Sequence, residues 1–138
     1  MSTTPYARIL FIHSHRQEAL AAALILSRIG PQVQLSAKAW EGCHLASHGL
    51  FDLIVVDDSL EEIPINELFF KLSFENRKST LILSDNKEFI SNPGVNFPGA
   101  LDVLKKTSRP MELVATICEI LINKFEKEHQ EAPQLIIN

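Results

Sequence analysis

The residue best placed to do chemistry is Asp57, which closes the largely apolar run from Phe51 to Val56. Such a run predicts a buried strand of a parallel sheet, and open parallel sheets place their functional groups at the carboxyl ends of the strands. The first predicted strand, Arg8 to Ile12, also ends in polar residues, but these are His-Ser-His at positions 13–15 and include no acid. A site built on several carboxylates would therefore have lost part of its acids.

Residue types alone suggest two other kinds of site. His13 and His15 could bind Zn²⁺ with Asp57 nearby, but no third ligand is fixed by the spacing, so hydrogen-bonded loop histidines are favoured. Ser84 follows another apolar run, yet no His and acid at recognisable spacing accompany it, which favours a loop hydroxyl over a nucleophile. A glycine-rich phosphate loop is absent, which disfavours a nucleotide-binding enzyme.

Changes of hydrophobic period predict five strands that alternate with helices. The predicted strands are Arg8 to Ile12, Val33 to Leu35, Asp52 to Val56, Thr80 to Leu83 and Leu101 to Lys105. The predicted helices are His15 to Ile29, Trp40 to His48, Ile65 to Phe74, a short or distorted one after Asn86, and Pro110 to about Glu128. This alternation predicts an α/β protein in which helices cover both faces of a parallel sheet, a three-layer sandwich.

Length and composition predict one globular domain. The chain has 138 residues, of which 46% are hydrophobic and 22% charged, with a formal net charge of -4. This balance disfavours direct binding to nucleic acid or to an anionic membrane. Residues 1–129 are predicted to form the domain and residues 130–138 a C-terminal tail. Since the start of the chain has no secretory pattern, Cys43 and Cys118 are interpreted as reduced thiols and the compartment as the cytoplasm.

Three phrases together resemble the receiver domains of two-component response regulators. Phe51 to Asp57 looks like the phospho-acceptor strand of that family, Leu81 to Ser84 like the strand that carries its switch hydroxyl, and Gly99 to Lys106 like the run that ends in its lysine. The resemblance covers Ala7 to Leu121. It implies a flavodoxin-like sheet of order 2-1-3-4-5, with Asp57 as acceptor and with Ser84 and Lys106 as the residues that contact the phosphoryl group.

The chain also departs from that family. His13 and Ser14 stand where the family has two acids, Thr107 follows the lysine in place of proline, and the aromatic switch position falls on Val103. Asp58 is not expected to replace the lost acids, because strand alternation would point it to the other side. At an effective dielectric constant of about 20, unit charges about 4 Å apart interact by roughly 4 kcal/mol, so loss of two anions beside Mg²⁺ costs several kcal/mol. We therefore predict weak or absent Mg²⁺ binding and no cofactor.

The last helix offers a candidate interaction surface. Its core spacing leaves a second apolar line through Met111, Ala115, Cys118, Ile122 and Phe125, which is either a wide core stripe or a surface for a partner or for self-association. The resemblance implies a face made of the fourth strand, the fifth strand and this helix.

The sequence thus predicts a degenerate receiver that is not an enzyme and that acts by binding another signalling protein or itself. The alternatives are an active phospho-accepting regulator that uses Asp57, and a small-ligand or metal-binding flavodoxin-like module.

Overall fold

Strands and helices alternate along the part of the chain that the computed structural model describes, which comprises residues 7–13, 16–107 and 109–137. The strands are β1 (Arg8–Ile12), β2 (Gln32–Ser36), β3 (Leu53–Asp57), β4 (Thr80–Ser84) and β5 (Asp102–Lys105). The helices are α1 (Arg16–Ile29), α2 (Ala39–His48), α3 (Ile65–Lys71), α4 (Phe74–Lys78), α5 (Lys87–Ser91), α6 (Pro93–Asn96) and α7 (Pro110–Ile137).

The five strands form one parallel sheet in the order β2-β1-β3-β4-β5, which confirms the predicted fold and strand order. Its register pairs Ile12 with Val56, so the residues that follow them, His13 and Asp57, leave neighbouring strands side by side. Asp57 pairs in turn with Leu83, the residue before Ser84. The carboxyl ends of β1, β3 and β4 therefore bring the predicted site residues to one edge of the sheet.

Alternate residues of each central strand supply two separate cores, one on each face of the sheet. On one face, Phe11 and Val55 pack with residues of α1 and α7, among them Leu26 and Ile117. On the other face, a second cluster of strand residues packs with α2, α3 and the segment that leads into β5; it includes Ile12, Val56, Ile82, Phe69 and Phe97. The site edge thus lies between two fully formed apolar layers.

Some predicted boundaries were wrong. The helix predicted from Ile65 to Phe74 ends at Lys71, because Leu72 is extended; a separate helix begins at Phe74, where the Ser73 hydroxyl accepts a hydrogen bond from the amide of Asn76. The short helix expected after Asn86 is α5, and a further short helix, α6, begins at Pro93.

The last helix is longer than predicted. It does not end near Glu128 but continues to Ile137, so the predicted boundary between residues 129 and 130 falls inside α7. Residues 130–132, Gln-Glu-Ala, are all good helix formers, so no residue there ends the helix near Glu128. Although α7 has 28 residues, neither it nor any other helix in the described ranges is long and apolar enough to cross a membrane.

Gly42 lets α2 lie directly against the strand that ends at the site. A Cβ atom at this position would meet Cδ1 and Cγ1 of Ile12 at 2.6 Å, and Ile12 is fully buried. We expect Gly42→Ala to lower the free energy of unfolding by about 1–3 kcal/mol, because overpacking outweighs the better helix propensity of alanine. Urea denaturation checks this, with exposed Ser47→Ala on the same helix as the control; an unchanged or higher stability for Gly42→Ala would contradict it.

Candidate functional site

Asp57 is the last residue of β3 and its side chain is only 2% exposed. Its Oδ1 atom accepts hydrogen bonds from the backbone amide of Ser59, at 2.8 Å, and from the Ser59 hydroxyl. The ammonium of Lys106 lies 3.1 Å from the same oxygen, and Nε2 of His13 lies 3.3 Å from Oδ2. Both carboxylate oxygens therefore face donors from this chain.

These contacts keep Asp57 ionised despite its burial. Burial alone would raise the pKa of Asp57, but the hydrogen bonds from the Ser59 hydroxyl and amide, with the charges of His13 and Lys106, outweigh it and lower the pKa below its usual value. The resulting stabilisation is present above the ordinary aspartate pKa and is lost as the pH falls through the lowered one. Asp57 is thus a carboxylate throughout the neutral range.

Lys106 bridges two carboxylates. Its Nζ atom lies 2.5 Å from Oδ1 of Asp58 and 3.1 Å from Oδ1 of Asp57, and its side chain is 24% exposed. Burial would lower the pKa of Lys106, but the hydrogen bonds and charges of Asp58 and Asp57 raise it overall. The expectation that Asp58 points away from the site was wrong: β3 ends at Asp57, so strand alternation does not orient the residue that follows it. Lys106 is an ion-pair partner here, not a freely solvated lysine.

Ser84 joins the same network through Asp58. Its side chain is fully buried at the end of β4, its hydroxyl donates to Oδ2 of Asp58 at 2.5 Å, and it accepts from the backbone amide of Asn86 at 2.9 Å. The hydroxyl is therefore engaged on both sides. Asp57, Asp58, Ser84, Lys106 and His13 form one connected cluster, which we call the carboxylate cluster.

The structure places His13 inside the cluster, and its side chain is buried beside Asp57. Ser14 and His15, the other residues named at this strand end, lie outside the described residues. Within the described ranges, no group of three or more His, Cys, Asp and Glu side chains is arranged to hold a metal ion.

The donor set fits Mg²⁺ poorly. Mg²⁺ needs near-octahedral oxygen ligation, whereas Oδ1 of Asp57 already accepts from three donors and one oxygen of Asp58 holds the Lys106 ammonium. An ammonium at this place repels a second cation. The residues present therefore do not form the carboxylate cage that this ion requires.

A small cavity opens beside the cluster. It is lined by His13, Asp57 and Lys106 together with Leu83, Thr107, Pro110 and Leu113, and its volume is about 30 Å³. A cavity of this volume has room for roughly two water molecules. A phosphoryl group on Asp57 would lie next to Lys106 and His13, which line the same cavity.

The position that corresponds to the family's aromatic switch residue carries no aromatic ring. Val103, at the position of the family's aromatic residue, is a buried member of the second core cluster. The hydroxyl of Thr107, which replaces the proline, donates to Glu112 at 2.6 Å and accepts from the amide of Arg109 at 3.1 Å. Thr107 therefore connects the segment after β5, which carries Lys106, to the first turn of α7.

The second apolar line of α7 is largely exposed. Ile122 is 56% exposed, Phe125 37%, and Met111 and Ala115 are exposed as well, whereas Cys118 is half-buried and packs against the first core cluster. We call Met111, Ala115, Ile122 and Phe125 the α7 stripe. The fourth strand, expected to share this surface, is buried along its length and contributes nothing to it.

Asp58 and Ser59 are site residues that the sequence reasoning missed. Ser59 follows Asp57 by two positions, and an aspartate that accepts from the amide two residues later is a recognised local turn. This Asp-x-Ser spacing could have identified the contact. The position of Asp58 depends on where Lys106 and Ser84 lie in space, which local spacing does not show.

The comparisons with known proteins place the fold. Neither a protein-family model nor a curated protein matches the sequence. Among solved structures, the chain is similar to a CheY-like response regulator receiver domain protein from Methanospirillum hungatei JF-1, with 23% identity over 89% of this chain and 99% of that one and a TM-score of 0.76. It is similar to the chemotaxis response regulator CheY4 of Vibrio cholerae, with 18% identity over 84% and 99% of the two chains and a TM-score of 0.71.

A third similar structure belongs to a family of redox sensors in the streptococci that evolved from two-component response regulators. It shares 23% identity over 89% of this chain and 55% of that one, with a TM-score of 0.74. The chain therefore has the CheY-like receiver fold, as the three sequence phrases indicated.

Proposed function

We propose that this chain is a receiver-type signalling domain that acts by binding another protein, with phosphorylation of Asp57 absent or atypical. Its fold supports a role in two-component signalling. It acts without catalysis of its own, in the cytoplasm, and residues 1–129 carry the function.

The observation that carries the proposal is the engagement of Asp57. An acceptor aspartate must present a free oxygen to the incoming phosphorus, yet Oδ1 has three donors and Oδ2 faces the buried His13. The adjacent cavity is small, at about 30 Å³, and Lys106 and His13 are among the residues that line it. Phosphoryl transfer would therefore require the carboxylate cluster to open first.

The poor fit of the carboxylate cluster to Mg²⁺ supports the same proposal. Phosphoryl transfer depends on positioning and on cations that neutralise the charge on the transferred group. Here Lys106 is the nearest such cation, and it is already neutralised by Asp57 and Asp58. Binding of Mg²⁺ at this place is weak or absent. The streptococcal redox sensors illustrate that a receiver fold can be adapted to another kind of signal.

A domain without phosphorylation and without catalysis would act by binding another protein. The α7 stripe offers apolar side chains on the surface, in a helix whose neighbouring side is fixed in the core by Val114, Ile117 and Leu121. Helices of this kind bind partners through apolar residues three or four positions apart. The partner is another signalling protein, and self-association through α7 is the alternative that oligomer measurements distinguish.

Incubation of the chain with acetyl phosphate and Mg²⁺ should leave its intact mass unchanged. We expect no stable phosphoryl adduct, because Asp57 is enclosed by its own donors and the described residues at the site fit Mg²⁺ poorly. Intact-protein mass spectrometry with and without Mg²⁺, beside an ordinary receiver domain as a positive control, measures this. One added phosphate that disappears in Asp57→Asn would instead establish an active phospho-accepting regulator. The structural argument for that alternative is that Lys106 contacts Asp57 and that Ser84 is linked to both through Asp58.

A further inference from the structure

His44 and His48 lie one turn apart on the exposed side of α2, away from the carboxylate cluster. Their ring centroids are 4.1 Å apart and their planes are inclined by 34°. Two histidines at positions i and i+4 of a helix present their rings to one side, and such pairs often supply two of the ligands of a metal site. Both side chains are exposed, so no bulky group must move to admit an ion.

The hydrogen bonds around His48 determine which of its nitrogens is free. Nδ1 of His48 lies 2.9 Å from the carbonyl oxygen of His44 and 2.9 Å from the Ser47 hydroxyl, which itself lies 2.8 Å from the same carbonyl. A carbonyl oxygen only accepts hydrogen bonds, so Nδ1 of His48 carries the proton and donates to the carbonyl of His44. The Ser47 hydroxyl donates to the same carbonyl. Nε2 of His48 is therefore the nitrogen with the lone pair.

This is the arrangement that metal-binding histidines adopt. Their second ring nitrogen usually donates to a backbone carbonyl or a carboxylate, which fixes the tautomer and the ring orientation before the metal arrives. His48 also lies in the last turn of α2, where the unpaired carbonyls of the helix favour a cation. Pre-orientation of the ring and the helix terminus act in the same direction.

We propose that His44 and His48 bind one divalent transition-metal ion through their imidazole nitrogens. Imidazole ligands suit Cu²⁺, Ni²⁺ and Zn²⁺, and the affinity should be highest for Cu²⁺. Since no group of three ligating side chains occurs in the described ranges, water fills the remaining coordination positions. The site differs from the His13 and His15 pair that the sequence suggested, and it does not depend on the state of Asp57.

The test uses Trp40, the single tryptophan of the chain, which is 69% exposed and lies one turn before His44. Titration of the untagged chain with CuCl₂ should quench its fluorescence with a stoichiometry of one. His44→Ala and His48→Ala should each weaken binding on the order of tenfold or more, since even loss of a group that supports a ligand costs about this much. The double variant should bind little more weakly than either single one, because one imidazole cannot chelate.

His129→Ala, which removes a histidine from α7, is the matched control and should bind as the wild type does. Electron paramagnetic resonance of the Cu²⁺ complex should show two coupled imidazole nitrogens in the wild type. Binding that survives in both single variants, or that is lost in His15→Ala, would place the metal elsewhere and overturn the proposal.

Discussion

Lys106→Met should destabilise the protein at pH 7, and the variant should gain stability when the pH is lowered from 7 to 5. The substitution removes the cation that Asp57 and Asp58 share and leaves two neighbouring carboxylates, one of them buried, facing each other. Breaking a fully buried ion pair costs about 3–5 kcal/mol, and because Lys106 is 24% exposed we expect about 2 kcal/mol.

The sign of the pH effect follows from the carboxylates. In the wild type the lowered pKa of Asp57 contributes stability that is present above the ordinary aspartate value and is lost only in stronger acid, so this contribution is nearly the same at pH 5 and pH 7. Without Lys106, burial and mutual repulsion raise the pKa of the pair. Protonation near pH 5 then relieves the repulsion, so the variant gains stability on acidification.

Urea denaturation at both pH values measures this effect. Lys105→Met is the matched control, because Lys105 is the neighbouring lysine but its side chain is exposed on β5 and has no ion pair with the cluster among the described contacts. A second substitution, Asp58→Asn, should recover part of the loss in the Lys106→Met background. Equal stability of the two lysine variants at pH 7 would show that the bridge contributes nothing.

The sequence was sufficient for the fold because its signals were strong and mutually consistent. Apolar runs that end in polar residues indicated β1, β3 and β4, and the order of the strands followed from the resemblance that the phrases around Asp57, Ser84 and Lys106 carried. The signals for where helices begin and end were weaker. The break between α3 and α4 depends on a single capping hydroxyl, Ser73, which a period of 3.6 residues does not reveal.

The site was predictable in position but not in connectivity. Strand ends of a parallel sheet must meet at one edge, so the approach of His13, Asp57 and Ser84 follows from register alone. Which carboxylate Lys106 pairs with depends on a long flexible side chain that reaches in from beyond β5. The pairing depends on the exact positions of the ammonium and carboxylate groups, and the sequence does not give these positions. It therefore could not show that Asp58 shares Lys106 with Asp57.

Ile122→Glu combined with Phe125→Glu should abolish binding to the partner, or self-association where that is the interaction, while the fold stays cooperative. Both side chains are exposed on α7, so a charge costs the monomer little, whereas a carboxylate buried in an apolar interface without a partner costs several kcal/mol. Sedimentation velocity measures self-association, and cross-linking with quantitative mass spectrometry measures loss of partners. Urea denaturation verifies the fold of each variant.

Two further variants decide where the function resides. Trp40→Glu combined with Leu50→Glu removes side chains that are 69% and 86% exposed from other parts of the surface, and this control should bind as the wild type does. Asp57→Asn, which disrupts the carboxylate cluster, should also leave binding near the wild-type level, because the proposed interaction needs a single conformation and no phosphorylation. Loss of binding in Asp57→Asn, with normal binding in the α7 double variant, would move the function from the surface of α7 back to the site at the sheet edge.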